Sequence, residues 1–129
     1  MRIDKDLVAA SATPLVLAIL ADGESYGYAI LKRVNELSGG RMNWTDGMLY
    51  PLLHRLERLC YVEASWRVAP SGRRRKHYAI TPAGVAALAE RRRQWAVVSG
   101  TLKRVWAEAS ALPVPVPVPV PMPLAGPGR

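Results

Sequence analysis

The chain has 129 residues, a length that fits one domain with a modest hydrophobic core, and a formal net charge of +8 at pH 7. This basic excess favours a polyanionic partner, either nucleic acid or an anionic membrane surface. The single cysteine, Cys60, excludes an internal disulfide, and one cysteine with two histidines excludes the common zinc sites. The sequence lacks paired carboxylates, a Cys/His pair and a Gly-rich phosphate loop, so we expect neither an enzyme nor a cofactor.

The first predicted helix begins at Thr13-Pro14, because threonine can cap a helix and proline suits its first position. It ends at Asp22-Gly23. The apolar run 14–21 is too short to cross a bilayer, and Asp4 and Asp6 lie where a signal peptide would carry basic residues. We therefore expect a cytoplasmic protein without membrane association.

The second predicted helix begins after Ser25 as its N-cap and ends at Gly39-Gly40. Its apolar residues recur at helical spacing, and they are Ile30, Leu31, Val34 and Leu37. The tyrosines near this helix and in the later hairpin are expected in the core, because the chain has no phenylalanine; they are Tyr26, Tyr28 and Tyr78.

The third predicted helix runs from Thr45 or Asp46 to Leu59 and has one apolar stripe, formed by Leu49, Leu52, Leu53, Leu56 and Leu59. Its other side carries residues that are free to contact a binding partner, namely Met48, Pro51, His54, Arg55 and Arg58. Tyr50 lies beside the stripe as a packing residue with its hydroxyl at the surface. His54 either contacts that partner or is an ordinary surface residue. Pro51 leaves the start of the helix open, because proline kinks a helix beyond its first turn.

The period then changes from helix to strand. Residues 62–68 alternate between apolar and polar, and "KHYAIT" at 76–81 alternates again. The intervening "APSGR" has turn chemistry, so the two runs predict a β-hairpin with Arg73, Arg74, Arg75 and Lys76 at its tip. Between His54 and His77 the chain has seven basic and two acidic residues, which indicates a localised anion-binding surface.

Thr81-Pro82 predicts the start of a fourth helix that continues to about Ala111. Leu88, Trp95 and Leu102 fall seven residues apart, and this seam is longer than a small core can cover. We expect it to meet a second copy through Val85, Leu88, Trp95, Val98, Leu102, Val105 and Trp106. Trp95 either packs at this interface or lines a cavity for a flat aromatic or cationic ligand.

From Pro113 the chain alternates proline with valine, which predicts an extended, poorly packed tail. This tail is either a ligand for an aromatic groove or an incidental extension. The sequence thus predicts a winged-helix domain over 1–81, a dimerisation helix over 82–111 and a Pro/Val-rich disordered tail over 112–129.

Three helices followed by a hairpin are typical of a winged helix-turn-helix, a mainly α fold with a small β-hairpin. In that fold the third helix enters the major groove of double-stranded DNA, and the basic hairpin, or wing, contacts the backbone or a neighbouring groove. The predicted DNA-binding residues are Thr45, Met48, Tyr50, Pro51, His54, Arg55, Arg58, Arg73, Arg74, Arg75 and Lys76. A protein-binding adaptor and a nucleic-acid binder without sequence preference are the alternative functions.

Three segments, "ESYGYAILKRV", "DGMLYPLLHRLER" and "GRRRKHYAITPAG", together resemble the PadR family of bacterial transcriptional regulators. The resemblance covers roughly Ser11 to Gly84 and implies a homodimeric regulator of the short type, usually a repressor, with a single C-terminal helix. Family members respond to phenolic acids and other hydrophobic small molecules. Met48 stands where the family has threonine, and Cys60 stands where it has glycine, so we expect either a different turn or backbone strain at Cys60.

Overall fold

The computed structural model describes residues 1–109, which form four helices and three strands. In chain order these are α1 (Lys5–Ala21), β1 (Ser25–Tyr26), α2 (Gly27–Ser38), α3 (Asp46–Arg58), β2 (Val62–Val68), β3 (Arg74–Ile80) and α4 (Pro82–Ala109). The elements confirm the predicted winged helix-turn-helix with a long C-terminal helix. The last two residues predicted for that helix and the predicted tail lie outside the described residues. By compactness the chain divides into Met1–Arg92 and Arg93–Arg129.

Helix α1 begins nine residues earlier than predicted, at Asp4 as its N-cap rather than at Thr13. Pro14 therefore lies inside the helix, where its missing N–H removes one backbone hydrogen bond. The longer helix is favoured because Val8 and Ala12 extend the buried side of α1 toward its N-terminus. Burial of that extra turn outweighs the preference of proline for a helix start.

The hairpin gains a third strand that the sequence did not predict. Ser25 is not a helix cap; with Tyr26 it forms β1, which pairs antiparallel with β3, and Tyr26 is the N-cap of α2. The sheet order is β1-β3-β2, so β3 lies in the middle. In the β2–β3 ladder Val62 pairs with Ile80.

Helix α3 has Thr45 as its N-cap residue, although the threonine side chain makes no capping hydrogen bond. Pro51 lies within the helix rather than in its first turn, so one more backbone hydrogen bond is missing there. The helix still forms because four leucines of the predicted stripe are buried; they are Leu49, Leu52, Leu53 and Leu56. Leu59 and Leu37, both expected in apolar stripes, are instead 50% and 60% exposed, because each lies at the end of its helix.

Cys60 adopts a left-handed backbone conformation with φ of 63°, so the turn typical of glycine is kept without glycine. The turn closes through hydrogen bonds from the Cys60 N–H to the Glu57 carbonyl, at 3.0 Å, and from the Tyr61 N–H to the Leu56 carbonyl, at 2.9 Å. A side chain at this φ costs about 1 kcal/mol relative to glycine. The expected strain is therefore present, and the closing hydrogen bonds help to offset it.

Thr81 joins the end of α3, the wing and the start of α4. Its hydroxyl oxygen accepts a hydrogen bond from the Gly84 N–H at 3.0 Å, which confirms the predicted cap of the fourth helix. The same hydroxyl donates to the Cys60 carbonyl at 2.6 Å, and the Thr81 N–H donates to the Tyr61 carbonyl at 3.0 Å. Gly84 is buried at this joint, and a Cβ there would collide with the Tyr61 carbonyl oxygen and lie 2.7 Å from Ile80 Cγ1.

Substitution at Gly84 tests this joint. We expect Gly84→Ala to lower the free energy of unfolding by about 1–3 kcal/mol, because the new methyl group meets backbone that cannot easily move. The matched control is Gly100→Ala in the same helix, where a Cβ meets nothing within 4 Å, and it should raise that free energy by about 0.5–1 kcal/mol. Urea unfolding measures both. Equal stability of the two variants would contradict the close approach at Gly84.

Candidate nucleic-acid interface

The fold separates the predicted DNA-binding residues into two depressions on either side of α3. Tyr50 and His54 line one depression together with the wing cations Arg73, Arg74, Arg75 and Lys76; its volume is about 570 Å³, and we name it the wing cleft. Thr45, Met48, Pro51 and Arg55 line the other, which we name the N-terminal groove. Arg58 is exposed in the last turn of α3 and lines neither of them.

Arg73 precedes β3, and the other three predicted wing cations lie within that strand rather than at the hairpin tip. The tip is the turn closed by hydrogen bonds between Ala69 and Arg73 and between Gly72 and Ala69, both 2.8 Å. Gly72 has φ of 86° in this turn, a conformation that side chains rarely adopt.

Each face of β3 holds one arginine against an aromatic ring. On one face, the Arg74 guanidinium lies 4.8 Å from the centre of a Trp66 ring. On the other face, the Arg75 guanidinium lies 4.5 Å from the centre of the Tyr26 ring. Such cation–π contacts orient a guanidinium without neutralising its charge. Both arginines therefore remain cationic and are held in place before any ligand arrives.

Two carboxylates neutralise other cations of the wing. The Glu57 carboxylate, on α3, lies 3.4 Å from the Lys76 ammonium. The Glu24 carboxylate lies 2.8 Å from the Arg67 guanidinium and 3.3 Å from His77 Nδ1, a contact that becomes an ion pair when the imidazole is protonated. The wing is thus tied to α3 on one side and to the segment before β1 on the other.

Within residues 1–109, Arg73, Arg74 and Arg75 have no carboxylate within ion-pair distance, and neither do Arg55 and Arg58. These five side chains form the part of the predicted site whose positive charge is uncompensated.

Tyr50 is packed against the start of α2. A Cβ added to Gly27 would collide with the Tyr50 hydroxyl oxygen and lie 2.6 Å from Cζ of the same ring. Tyr50 is 39% exposed, which agrees with the expected packing residue at the surface. Because Gly27 opens α2 and Tyr50 lies in α3, this contact fixes how the two helices of the motif meet.

Two aromatic residues of the wing cleft were missed at the sequence level. Tyr28 was expected in the core but is 64% exposed and lines the cleft. Trp66, on the apolar face of the predicted strand, is 59% exposed because that face leaves the core partway along β2. Tyr26 is half-buried, and only Tyr78 of the three tyrosines is fully buried as expected. The alternation of β2 shows which residues share a face, and it does not show where the core ends.

The residues predicted for contact between copies lie along α4. Val85, Val98, Leu102, Val105 and Trp106 are 41–61% exposed. Leu88 is half-buried and packs against the core of its own chain, so part of its apolar surface is already covered. Trp95 is half-buried. Among residues 1–109 no helix is long and apolar enough to span a membrane.

Tyr78 lies at the bottom of the wing cleft and is 1% exposed. Burial raises the pKa of its phenol above the ordinary value of 10.0, and the nearby Lys76 ammonium opposes this rise. The folded state therefore keeps the phenol proton at a pH where the unfolded state loses it.

The raised pKa of Tyr78 predicts alkaline destabilisation. Stability from this group is fully present below pH 10 and falls as the pH rises through the folded-state pKa, because only the unfolded chain then releases the proton. We expect the melting temperature of the wild type to fall more steeply above pH 10 than that of Tyr78→Phe. Thermal unfolding followed by circular dichroism between pH 8 and about 11 measures this. Parallel curves would contradict it.

Comparison with known proteins gives the same assignment as the geometry. The model of the family described as "Transcriptional regulator PadR-like family" matches residues 16–90, more than half of the chain. Transcriptional regulator Rv3488 of Mycobacterium tuberculosis is 42% identical over 78 residues, which are 60% of this chain and 69% of that protein.

Solved structures agree in fold. A PadR-like transcriptional regulator from Bacillus cereus matches with a TM-score of 0.70 and 26% identity, over 79% of this chain and 97% of that chain. A PadR family transcriptional regulator from Eggerthella lenta matches with a TM-score of 0.64 and 30% identity, over 78% and 82% of the two chains. With the helix-turn-helix, the basic wing and the long α4 in place, this chain belongs to the PadR-like family of transcriptional regulators.

Proposed function

We propose that this DNA-binding regulator is a sequence-specific repressor that acts as a homodimer on an inverted-repeat operator. The observation that carries the proposal is the wing cleft, where the exposed side of α3 and the wing arginines line one concave surface. A recognition helix and a basic wing that share one concave surface can hold a DNA strand between them.

Each element has a separate role in this proposal. Tyr50 and His54 project from α3 toward base edges of the major groove, and Arg55 and Arg58 contact phosphates beside them. Arg73 and Arg74 contact the backbone or the minor groove next to the wing. Phosphate contacts give affinity for any sequence, whereas the α3 side chains discriminate between sequences.

The exposed apolar residues of α4 support the homodimer. Val98, Leu102 and Val105 lie at heptad spacing, and each is 41–55% exposed in the single chain. A two-fold dimer would place two copies of α3 about 34 Å apart, on half-sites about one turn of DNA apart. The operator should then be an inverted repeat.

An effector site at Trp95 belongs to the same proposal. A half-buried tryptophan on a dimer helix provides a flat apolar surface for an aromatic ligand, although plain packing between copies would use it equally well. Titration of the dimer with hydrophobic aromatic compounds, followed by Trp fluorescence of the wild type and Trp95→Phe, separates the two roles. Unchanged wild-type fluorescence at high micromolar concentration would leave Trp95 as a packing residue.

A footprint on the DNA upstream of the chain's own gene tests the proposed function. We expect protection of an inverted repeat and weaker binding to random duplex. Equal affinity for specific and random duplex would indicate a non-specific nucleic-acid binder, and no binding at all would favour a protein-binding adaptor.

The wing arginines should supply affinity rather than specificity. We expect the triple variant of Arg73, Arg74 and Arg75 to alanine to weaken binding to all duplexes alike. If each copy makes about four phosphate contacts, the slope of log K against log salt is about −7, and the triple variant flattens it by about 2–3 units or more. The matched control replaces Arg91, Arg92 and Arg93 of α4. Lost specificity at unchanged affinity would mean that the wing arginines read bases.

The ion pair between Glu57 and Lys76 should restrain DNA binding, because it neutralises a cation of the wing cleft. We expect Glu57→Gln to tighten binding to specific and random duplex about two- to fivefold, since both groups of the pair are partly exposed. Glu63→Gln removes the same charge from an exposed position of β2, which within residues 1–109 is not paired with a cation, and serves as the control. Fluorescence anisotropy with labelled duplex measures the affinity of both variants. Equal changes in affinity would show that Glu57 acts only through the net charge of the protein.

A further inference from the structure

We propose that the N-terminal groove binds an aliphatic carboxylate of about eight to twelve carbons, and that this ligand competes with DNA for α3. The competition rests on the proposed function, whereas binding of the ligand does not. The groove is distinct from Trp95 and from the wing cleft.

The groove lies between the N-terminal segment, α1, the loop before α3 and the side of α3 that carries Met48, Pro51 and Arg55. A hydrogen bond from the Ile3 N–H to the Arg41 carbonyl, at 3.0 Å, attaches the N-terminal segment to the loop after α2. One wall of the groove is therefore a short stretch of N-terminal backbone rather than a packed helix. Its volume is about 560 Å³, within the range of small-molecule sites.

The floor of the groove is aliphatic. It contains Ile3, Val8, Ala12, Met42, Met48 and Leu52, and none of the residues that line the groove is aromatic. Val8, Ala12 and Leu52 are 4–6% exposed and give a fixed floor, whereas the two methionines have flexible thioether chains that adapt to a ligand. A flexible alkyl chain fits such a surface better than a flat ring, which would leave gaps.

The charged residues that line the groove indicate the headgroup of the ligand. Three cations line it, namely Arg2, Lys5 and Arg55, and no carboxylate is among its lining residues. All three cations are exposed, and within residues 1–109 none of them is in an ion pair. An apolar floor with uncompensated cations fits a molecule with an alkyl chain and one anionic headgroup.

The side chains that line the wing cleft differ from those of the N-terminal groove. The wing cleft is lined by four tyrosines and a tryptophan, which suit stacking, and its cations are partly held by those rings. The two depressions therefore differ in chemistry although they flank the same helix. Only the N-terminal groove matches an aliphatic chain.

Occupation of the groove would affect DNA binding through shared residues. Thr45, Met48, Pro51 and Arg55 line the groove and are also predicted DNA contacts on α3. A carboxylate held by Arg55 takes away a phosphate contact, and its negative charge repels the DNA backbone. The ligand should thus weaken DNA binding without unfolding the protein.

The first experiment uses decanoate, below its micelle concentration, with the full-length protein free of DNA. Isothermal titration calorimetry should show saturable binding of one equivalent per chain, with a Kd on the order of tens of micromolar. Octanoate should bind about tenfold more weakly, because it buries two fewer methylene groups. Decanol and decyltrimethylammonium, which lack the anion, should bind at least about tenfold more weakly than decanoate.

Two variants locate the site. Lys5→Glu reverses one cation of the groove and should weaken decanoate about five- to tenfold, whereas the control Arg33→Glu on the exposed side of α2 should change it less than about twofold. Ala9→Phe, at an exposed position that lines the groove, should fill it and abolish binding. Circular dichroism confirms that each variant is folded.

The DNA arm is measured separately. Decanoate at about ten times its Kd should weaken the affinity of the wild type for its operator at least about tenfold, as competition requires. The affinity of Ala9→Phe should not respond. If decanoate binds as described but DNA affinity is unchanged, the competitive role is overturned. If the protein does not bind DNA at all, the proposed function fails, and the calorimetry still shows whether the N-terminal groove binds decanoate.

Two results would overturn the site itself. Equal binding of decanol and decanoate would show that the cations do not select an anion. Absence of decanoate binding by the wild type would also overturn it, and conversion of a dimer to a monomer by Ala9→Phe in analytical ultracentrifugation would then show that the groove is a contact between copies of the chain.

Discussion

Burial of the leucine side of α3 decides which of its residues face solvent. Leu49, Leu53 and Leu56 are fully buried and Leu52 is 4% exposed, and each contributes about 1.5–3 kcal/mol to folding. This burial fixes the rotation of the helix about its axis, so the remaining side chains face outward. It also makes Pro51 tolerable, because the core holds α3 together where one backbone hydrogen bond is absent.

The wing arginines depend on the orientation of α3 and on a division of charge. Carboxylates from other elements neutralise Arg67 and Lys76, whereas the neighbouring Arg74 and Arg75 are held by aromatic rings instead. An ion pair fixes position and removes charge, whereas a cation–π contact fixes position and keeps it. Within residues 1–109, the uncompensated charge of the wing is therefore that of Arg73, Arg74 and Arg75, and a bound polyanion would relieve the repulsion between these like charges.

The sequence predicted every major element, because strong periodicity in α2, α3, β2 and β3 shows which residues share a face. The early part of α1 was missed because a general preference for proline at helix starts competed with an apolar pattern that begins at Val8. A two-residue strand such as β1 has no period of its own and forms only when β3 lies beside it. The pairing of Lys76 with Glu57, and the exposure of Tyr28, likewise depend on neighbours distant in sequence.

The contact between Gly27 and Tyr50 links substitutions at two positions that belong to different helices. The three atoms nearest to a Cβ at position 27 all belong to the Tyr50 side chain, so the tyrosine ring is the first obstacle to a larger residue there. Replacement of Tyr50 by serine would open a gap of about one methyl group's size or more beside Gly27, so that alanine at position 27 would no longer meet the ring. Homologues that differ at position 50 should therefore covary at position 27. Libraries designed to retarget α3 would need to vary both positions together.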